Sequence, residues 1–246
     1  MKDQTPAAKD AAARNDPLAK DGIKWTYSGS TGAENWGVLK PEWATCGKGM
    51  MQSPIDISDG ARLDLEPIKF QYRLSPLEIV DTGHTVQVNY LGGSAITVGG
   101  VCYELMQMHF HKPAEERVNG RVYDMAAHLV HRSFDGRLAV VAVLFEIGEE
   151  NTFIKSLWPY LPLEKEREVV MNHVKIPFDS LLPAERGYYA FMGSLNTPPC
   201  TEGVLWLVMK TPVSISPTQV GVFGRLYPMN ARPVQATNSR FIKESR

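Results

Sequence analysis

The sequence lacks a surplus of charge of either sign and any long apolar run. Its 246 residues include 26 basic and 27 acidic side chains, which gives a formal net charge of −1. Without a basic surplus, the composition does not indicate nucleic acid or an anionic membrane as a partner. No apolar stretch approaches the roughly 20 residues of a membrane-spanning helix. We therefore expect no nucleic-acid or membrane partner, and a small molecule or a protein instead.

Cysteine is also scarce, with Cys46, Cys102 and Cys200 as its three occurrences. None of them forms a closely spaced CxxC pair, so a structural zinc site built on cysteine is not predicted. Their spacing leaves two possibilities open. All three could be reduced in an intracellular protein, or two could form a disulfide and leave one free thiol.

The N-terminal segment is polar and rich in alanine, without the apolar core of a signal peptide. We expect residues 1–22 to be disordered or loosely attached, as the exposed start of a mature protein whose signal peptide has been removed. The folded domain is predicted over residues 23–246.

The rest of the chain favours β-structure. Runs rich in β-branched and aromatic residues predict strands within 84–91, 95–110, 121–133, 137–148 and 204–215. Two stretches favour helices, Asn151 to Tyr160 with Asn151 as the cap, and Ser216 to Tyr227 with Ser216 as the cap before Pro217. No repeat or linker interrupts the pattern. The sequence predicts a single, mainly-β domain with a large antiparallel sheet and a few short helices.

Four of the six histidines fall between positions 107 and 133. His109 and His111 are two apart in a strand pattern, so their side chains leave the same face. Asn119-Gly120 is a strong signal for a two-residue hairpin turn. With that turn, His128 lies opposite His111 and diagonal to His109. Three imidazoles would then lie within reach of one ion.

These histidines have other interpretations. A single strand histidine usually has a structural role, and an HxH pair alone is weak evidence. Three convergent imidazoles suit Zn²⁺ and leave the open position that catalytic zinc sites keep. The stretch HFHKPAE also fits a cupin, in which Glu115 would be a fourth ligand to iron or manganese. Against a cupin, His128 lacks the separate strand and Gly/Pro context of that fold.

Motifs spread along the chain identify a family. From Trp25 to Arg240 the sequence resembles the α-class carbonic anhydrases of bacteria, through WTYSG, NWG, QSPIDI, GHTVQV, QMHFH, AHLVH, GSLNTPPCTEGVLW and NARPVQ. The resemblance implies a central, twisted, ten-stranded, mostly antiparallel sheet. It also implies a carbonate dehydratase, in which zinc-bound hydroxide reversibly hydrates CO₂ to bicarbonate and a proton. Sulfonamide-type and anionic inhibitors are then expected to bind, and a homodimer is one option for the assembly.

The resemblance assigns roles to several residues. It implies that His109, His111 and His128 bind zinc and that Gln107 accepts a hydrogen bond from the first of them. His84 matches the residue that carries the proton between zinc-bound water and buffer, a task that suits a pKa near 6.5.

Further positions follow from the same resemblance. Tyr27 matches a tyrosine that orders water, and Glu115 a buried carboxylate that orients the hydroxide. The expected CO₂ pocket is lined by Val130, Val140, Leu195, Thr197, Val204 and Trp206. Such positions are otherwise ordinary core residues.

The resemblance also bears on the cysteines. Cys46 and Cys200 match the single disulfide of bacterial relatives, which favours a periplasmic or secreted location. Cys102 lies in an apolar strand run, so we expect it to be a buried structural thiol.

Two positions depart from the family. Asn196 replaces a threonine that accepts a hydrogen bond from the hydroxide and donates to the buried glutamate; asparagine has both an acceptor and donors. Ala126 replaces a glutamate that accepts a hydrogen bond from the third ligand. We hypothesise that Glu116 supplies this carboxylate instead; the alternative is that Glu116 is a solvated turn charge and that a water serves His128. Because the site is altered, the rival interpretation is a non-catalytic, zinc-binding relative with a binding or structural role. Lys112, where an aromatic residue is common, receives no role.

Overall fold

The fold is taken from a computed structural model that describes residues 24–162 and 164–246. The predicted N-terminal segment, residues 1–22, lies outside the described residues. The strands are β1 (Asp56–Ile57), β2 (Ala61–Leu63), β3 (Lys69–Gln71), β4 (Ser75–Asp81), β5 (Val86–Asn89), β6 (Ala95–Val98), β7 (Val101–His111), β8 (Arg117–Val118), β9 (Arg121–Val122), β10 (Met125–Ser133), β11 (Leu138–Ile147), β12 (Glu168–Ile176), β13 (Tyr188–Ser194), β14 (Glu202–Met209), β15 (Val213–Ile215) and β16 (Lys243–Ser245). The α-helices are α1 (Trp36–Leu39), α2 (Thr45–Lys48), α3 (Thr152–Leu157) and α4 (Pro217–Leu226).

One large sheet dominates the molecule. Ten strands run from edge to edge in the order β12-β4-β5-β7-β10-β11-β14-β13-β16-β2, and β3, β6 and β15 pair beside this path. Pairing is parallel for β11–β14, β11–β15 and β16–β2, and antiparallel for the other described pairs of this sheet. The predicted mainly-β, mostly antiparallel domain is confirmed, and each of the five predicted strand runs contains strands.

Both predicted helices form, with the predicted caps. Asn151 accepts a hydrogen bond from Ile154 N at 3.1 Å at the start of α3. At α4, Ser216 and Gln219 exchange side-chain and backbone hydrogen bonds in a capping box. The four-residue helices α1 and α2 were not predicted, because a single turn is too short to show a helical period.

The predicted pairing of His111 with His128 is wrong by two residues. Asn119-Gly120 does form a turn, with φ of 51° and 77°, but it closes only the small β8–β9 hairpin. In the large sheet, His128 pairs with His109, and His111 pairs with Ala126. The two segments that join the small hairpin to the large sheet differ in length. Residues 112–116 connect β7 to β8, and residues 123–124 connect β9 to β10. Because the shift is even, all three histidines still leave the same face.

A fourth histidine of this stretch lies in the core. His131 is fully buried in β10, with its Nε2 2.8 Å from the Tyr72 hydroxyl. Burial lowers the pKa of His131 from 6.5 to about 3. The unfolded chain therefore binds more protons than the folded protein once the pH falls below about 6.5. The contribution of His131 to the free energy of unfolding is therefore most favourable to the folded state above about pH 6.5. It becomes less favourable as the pH falls towards 3.

Replacing His131 with glutamine should make the acid loss of stability shallower. Between about pH 6.5 and 4, the free energy of unfolding of the unmodified protein should fall faster than that of the variant, by up to about 1.4 kcal/mol per pH unit. Urea unfolding of both proteins across this range measures the difference, and every other histidine contributes to both. Parallel curves would show that His131 does not carry the effect.

Candidate metal centre and active site

Three imidazoles converge from two neighbouring strands. His109 and His111 come from β7 and His128 from β10. One nitrogen from each ring lies within 4.8 Å of the corresponding nitrogens of the other two. His111 and His128 are each 1% exposed, and His109 is partly buried. The structure thus brings together the three predicted metal ligands, in spite of the changed register.

Each ring is oriented by a hydrogen bond from its other nitrogen. The three bonds run from His109 Nδ1 to Gln107 Oε1 at 2.9 Å, from His111 Nδ1 to Asn230 O at 2.7 Å, and from His128 Nε2 to Glu116 Oε2 at 3.0 Å. They leave Nε2 of His109, Nε2 of His111 and Nδ1 of His128 for one ion. Metal-bound histidines in proteins almost always donate their second N–H in this way.

The chemistry of the donor set fits a zinc ion. Burial lowers the pKa of His109 to about 3 and also lowers the pKa of His111, so both rings are neutral and able to bind a metal. Burial acts in the same direction on His128, but the carboxylate of Glu116 offsets it and leaves the pKa of His128 raised. Within the described part of the chain, the buried Nε2 of His111 has no hydrogen-bond partner, which suits a nitrogen that binds an ion.

Glu115 and Asn196 lie beside these nitrogens. Glu115 Oε2 is 3.3 Å from Nε2 of His111 and 3.8 Å from Nδ1 of His128. Its two oxygens also accept hydrogen bonds, Oε2 from Asn196 Nδ2 at 2.6 Å and Oε1 from Arg232 N at 2.7 Å. Burial raises the pKa of Glu115 to about 7. The carboxylate is therefore held by neighbouring groups at the edge of the histidine cluster.

An apolar wall adjoins the histidines. Val140, Val204 and Trp206 are buried in one cluster, against which Val130 and Leu195 pack. The ring of Trp206 meets that of His128 edge to face, with centroids 5.0 Å apart. Thr197 is partly buried in the turn between β13 and β14. Through Trp206 this apolar cluster reaches His128 of the candidate metal centre, and the role of these residues in a CO₂ pocket stays a prediction.

His84 and Tyr27 belong to an aromatic group formed with Trp25 and Trp36. The ring of His84 stacks on Trp25 with centroids 3.7 Å apart, and its Nε2 lies 3.0 Å from the carbonyl oxygen of Trp25. Tyr27 packs against both tryptophans. Burial, followed by the charge of Glu115, raises the pKa of Tyr27, so its hydroxyl remains protonated. The proton-carrying role of His84 and the water-ordering role of Tyr27 stay predictions.

The cysteines resolve the question that their spacing left open. Cys46 and Cys200 form a disulfide with a Cα–Cα distance of 5.0 Å. Cys102 is a free, exposed cysteine, so the prediction of a buried thiol is wrong. Its side chain falls on the outward face of β7, where exposed and buried positions alternate. None of the helices in the described ranges is long and apolar enough to cross a membrane.

Two residues of the site were not singled out from the sequence, Asn230 and Arg232. Asn230 is fully buried and accepts from His111 through its backbone carbonyl. The backbone N–H of Arg232 donates to Glu115. The guanidinium of Arg232 donates to Ser53 O at 2.7 Å and to Cys46 O at 2.9 Å. Both lie in the stretch NARPVQ, which identifies the family but gives no sign of these contacts.

Lys112, which has no predicted role, forms hydrogen bonds just after the end of β7. Its backbone N–H donates to Asn230 Oδ1 at 2.7 Å, and its Nζ donates to Pro228 O at 3.2 Å. It therefore helps to join the segment that carries Asn230 to the strand that carries His111.

Comparisons with known proteins show the family of the chain. A family model described as eukaryotic-type carbonic anhydrase matches residues 31–246. A carbonic anhydrase from Nostoc sp. is 38% identical over 234 residues, covering 93% of this chain and 89% of that protein. A hyperthermostable carbonic anhydrase from a hydrothermal vent chimney has a TM-score of 0.88 and 42% identity, covering 91% of this chain and 100% of the other. The α-carbonic anhydrase of Thermovibrio ammonificans in complex with the inhibitor sulfanilamide has a TM-score of 0.87 and 39% identity, covering 92% of this chain and 100% of the other. Membership of this family excludes the cupin alternative: the chain belongs to the α-type carbonic anhydrases, whose enzymatic class is carbonate dehydratase.

Proposed function

We propose that this protein binds zinc through His109, His111 and His128 and hydrates CO₂ reversibly to bicarbonate and a proton. The observation that carries the proposal is the set of three converging imidazoles, each oriented by its own acceptor. Three protein ligands leave a fourth position open, as in catalytic rather than structural zinc sites. Zinc held by these three residues would supply a nucleophile at neutral pH, because the ion lowers the pKa of water to about 7 in such sites.

In this proposal, Glu115 and Asn196 orient the nucleophile. Because Asn196 donates to Glu115 through Nδ2, the opposite side of its amide carries the acceptor Oδ1. That oxygen is buried and has no hydrogen-bond partner among the described residues. An acceptor fixed in this way can receive one hydrogen bond from the nucleophile and set its direction.

In this proposal, different groups bind the substrate and carry the proton. The apolar wall around Val140, Val204 and Trp206 suits CO₂, which is uncharged and has only weak acceptors. His84 would carry the released proton between the site and buffer, since an imidazole both accepts and donates near neutral pH. Sulfonamide and anionic inhibitors are expected at the open metal position, in line with the sulfanilamide complex of the T. ammonificans relative.

The disulfide supports a location for this activity. The Cys46–Cys200 bridge joins positions 154 residues apart. Disulfides persist in oxidising compartments and are rare in the cytosol. We assign the protein to the periplasm or the cell exterior.

Metal analysis combined with stopped-flow CO₂ hydration tests the proposal. One zinc per chain is expected, with hydration lost on chelation, restored by zinc and blocked by a sulfonamide. Stoichiometric zinc without hydration above the buffer rate would overturn the enzymatic proposal and support the non-catalytic binding role. Iron or manganese in place of zinc would overturn the metal assignment.

A further inference from the structure

We propose that Glu116 is a positioning residue for the metal centre and supplies the carboxylate that orients His128. The inference rests on the proposed zinc site and names a further residue that determines its affinity. It is carried by the hydrogen bond of 3.0 Å between Nε2 of His128 and Oε2 of Glu116.

Glu116 is held firmly in a buried place. Its side chain is fully buried, and His128 is 1% exposed. The backbone on either side is fixed, with Ala114 N donating to Tyr123 O at 3.1 Å and Arg117 N donating to Ile55 O at 3.2 Å. The carboxylate therefore reaches His128 from a connection that is itself attached to β1.

The neighbouring strand position cannot perform this task. Ala126 lies two residues before His128 in β10, so both side chains leave the same face of the strand. Ala126 is fully buried and has no polar side-chain atom. The carboxylate that orients His128 therefore comes from the connection after β7 rather than from β10.

A purely structural role explains Glu116 poorly. Its Oε1 is buried and has no hydrogen-bond partner in the described part of the chain. A buried carboxylate with one unpartnered oxygen destabilises a fold compared with an apolar residue of similar size. Its interaction with a metal-binding imidazole accounts for its presence. A carboxylate on Nε2–H fixes the tautomer that leaves Nδ1 free and makes that nitrogen a stronger donor to a metal.

Zinc competition with a chromophoric chelator tests the proposal on Glu116→Gln, a substitution of nearly equal shape. We expect the dissociation constant for zinc to rise about 10- to 100-fold, the range usual when a group that orients a metal ligand is lost. The matched control is Glu149→Gln, because Glu149 is exposed, and it should bind zinc as the unmodified protein does. If Glu116→Gln binds zinc equally well, the proposal is overturned.

Two further measurements separate positioning from general damage to the hairpin. In the zinc-loaded protein, Glu116→Gln should shift the imidazole N–H resonance of His128 and leave those of His109 and His111 in place. In addition, Glu116→Asn with Ala126→Glu should bind zinc more tightly than Glu116→Asn alone, because the carboxylate is returned to β10. An unshifted His128 resonance, or a double variant no better than the single one, would overturn the proposal. Failure of the unmodified protein to bind zinc would instead overturn the proposed function.

Discussion

Replacing Asn196 with alanine is expected to lower the rate of CO₂ hydration by about 100-fold, with zinc content unchanged. Alanine removes both the donor to Glu115 at 2.6 Å and the buried acceptor Oδ1. The nucleophile then loses the group that fixes its direction, and a misplacement of about 1 Å is enough for a loss of this size. Removing one preorganised hydrogen bond from an active site has a comparable effect of about 100- to 1,000-fold. Stopped-flow hydration on protein of verified zinc content measures the change.

Asn196→Thr is the informative companion variant. A threonine hydroxyl can also donate to Glu115 and accept from the nucleophile, so this variant should hydrate CO₂ at least as fast as the unmodified protein. Asn172→Ala, on an exposed position of β12, serves as the control and should leave the rate unchanged. An Asn196→Ala protein within threefold of the normal rate would show that asparagine has no orienting role.

The hairpin shows which features a local pattern predicts. The Asn119-Gly120 turn forms as predicted, because both residues adopt the positive φ that such a turn requires. The register of the long strands was wrong because it depends on residues 112–116, which leave the large sheet to lead into β8, the partner of β1. That contact joins segments about 60 residues apart, and no local pattern contains it. The face of the histidines was predicted correctly because a shift of two residues preserves it.

Contacts between distant segments account for the rest of the differences. Cys46 and Cys200 are 154 residues apart, so their spacing could not decide between thiols and a disulfide. The backbone carbonyl of Asn230 accepts from His111, which lies 119 positions away in the chain. Because every residue type has a backbone carbonyl, the identity of residue 230 does not predict this contact. The prediction for Cys102 is wrong because an apolar run does not show which face of a strand is buried, and Cys102 lies at an exposed position of β7. Glu116 was proposed from the missing carboxylate at Ala126, and the structure places it beside His128.

Asn230→Leu is expected to destabilise the fold by about 2–5 kcal/mol and to weaken zinc binding about 10- to 100-fold. The side chain of Asn230 accepts from Lys112 N at 2.7 Å and donates to Phe110 O at 2.9 Å and to His84 O at 3.0 Å. Leucine has a similar size but would remove these three hydrogen bonds. Lys112 N would lose its acceptor, whereas Phe110 O would keep the hydrogen bond from Thr85 Oγ1. Each buried group left unpaired costs about 1–3 kcal/mol.

The loss of zinc affinity follows from the same contacts. The side chain of Asn230 forms hydrogen bonds with the backbone of Phe110 and Lys112, on either side of His111. The backbone carbonyl of Asn230 accepts from His111 Nδ1 at 2.7 Å. Once the side chain releases the strand, the carbonyl no longer holds the ring in the direction of the ion. Urea unfolding of the metal-free protein and zinc competition measure the two effects separately, with Asn172→Ala as the exposed control. Because the same side chain reaches the backbone of His84, the variant should also change the dependence of hydration on buffer concentration. A variant with lowered stability but normal zinc affinity would show that Asn230 supports the fold without positioning His111.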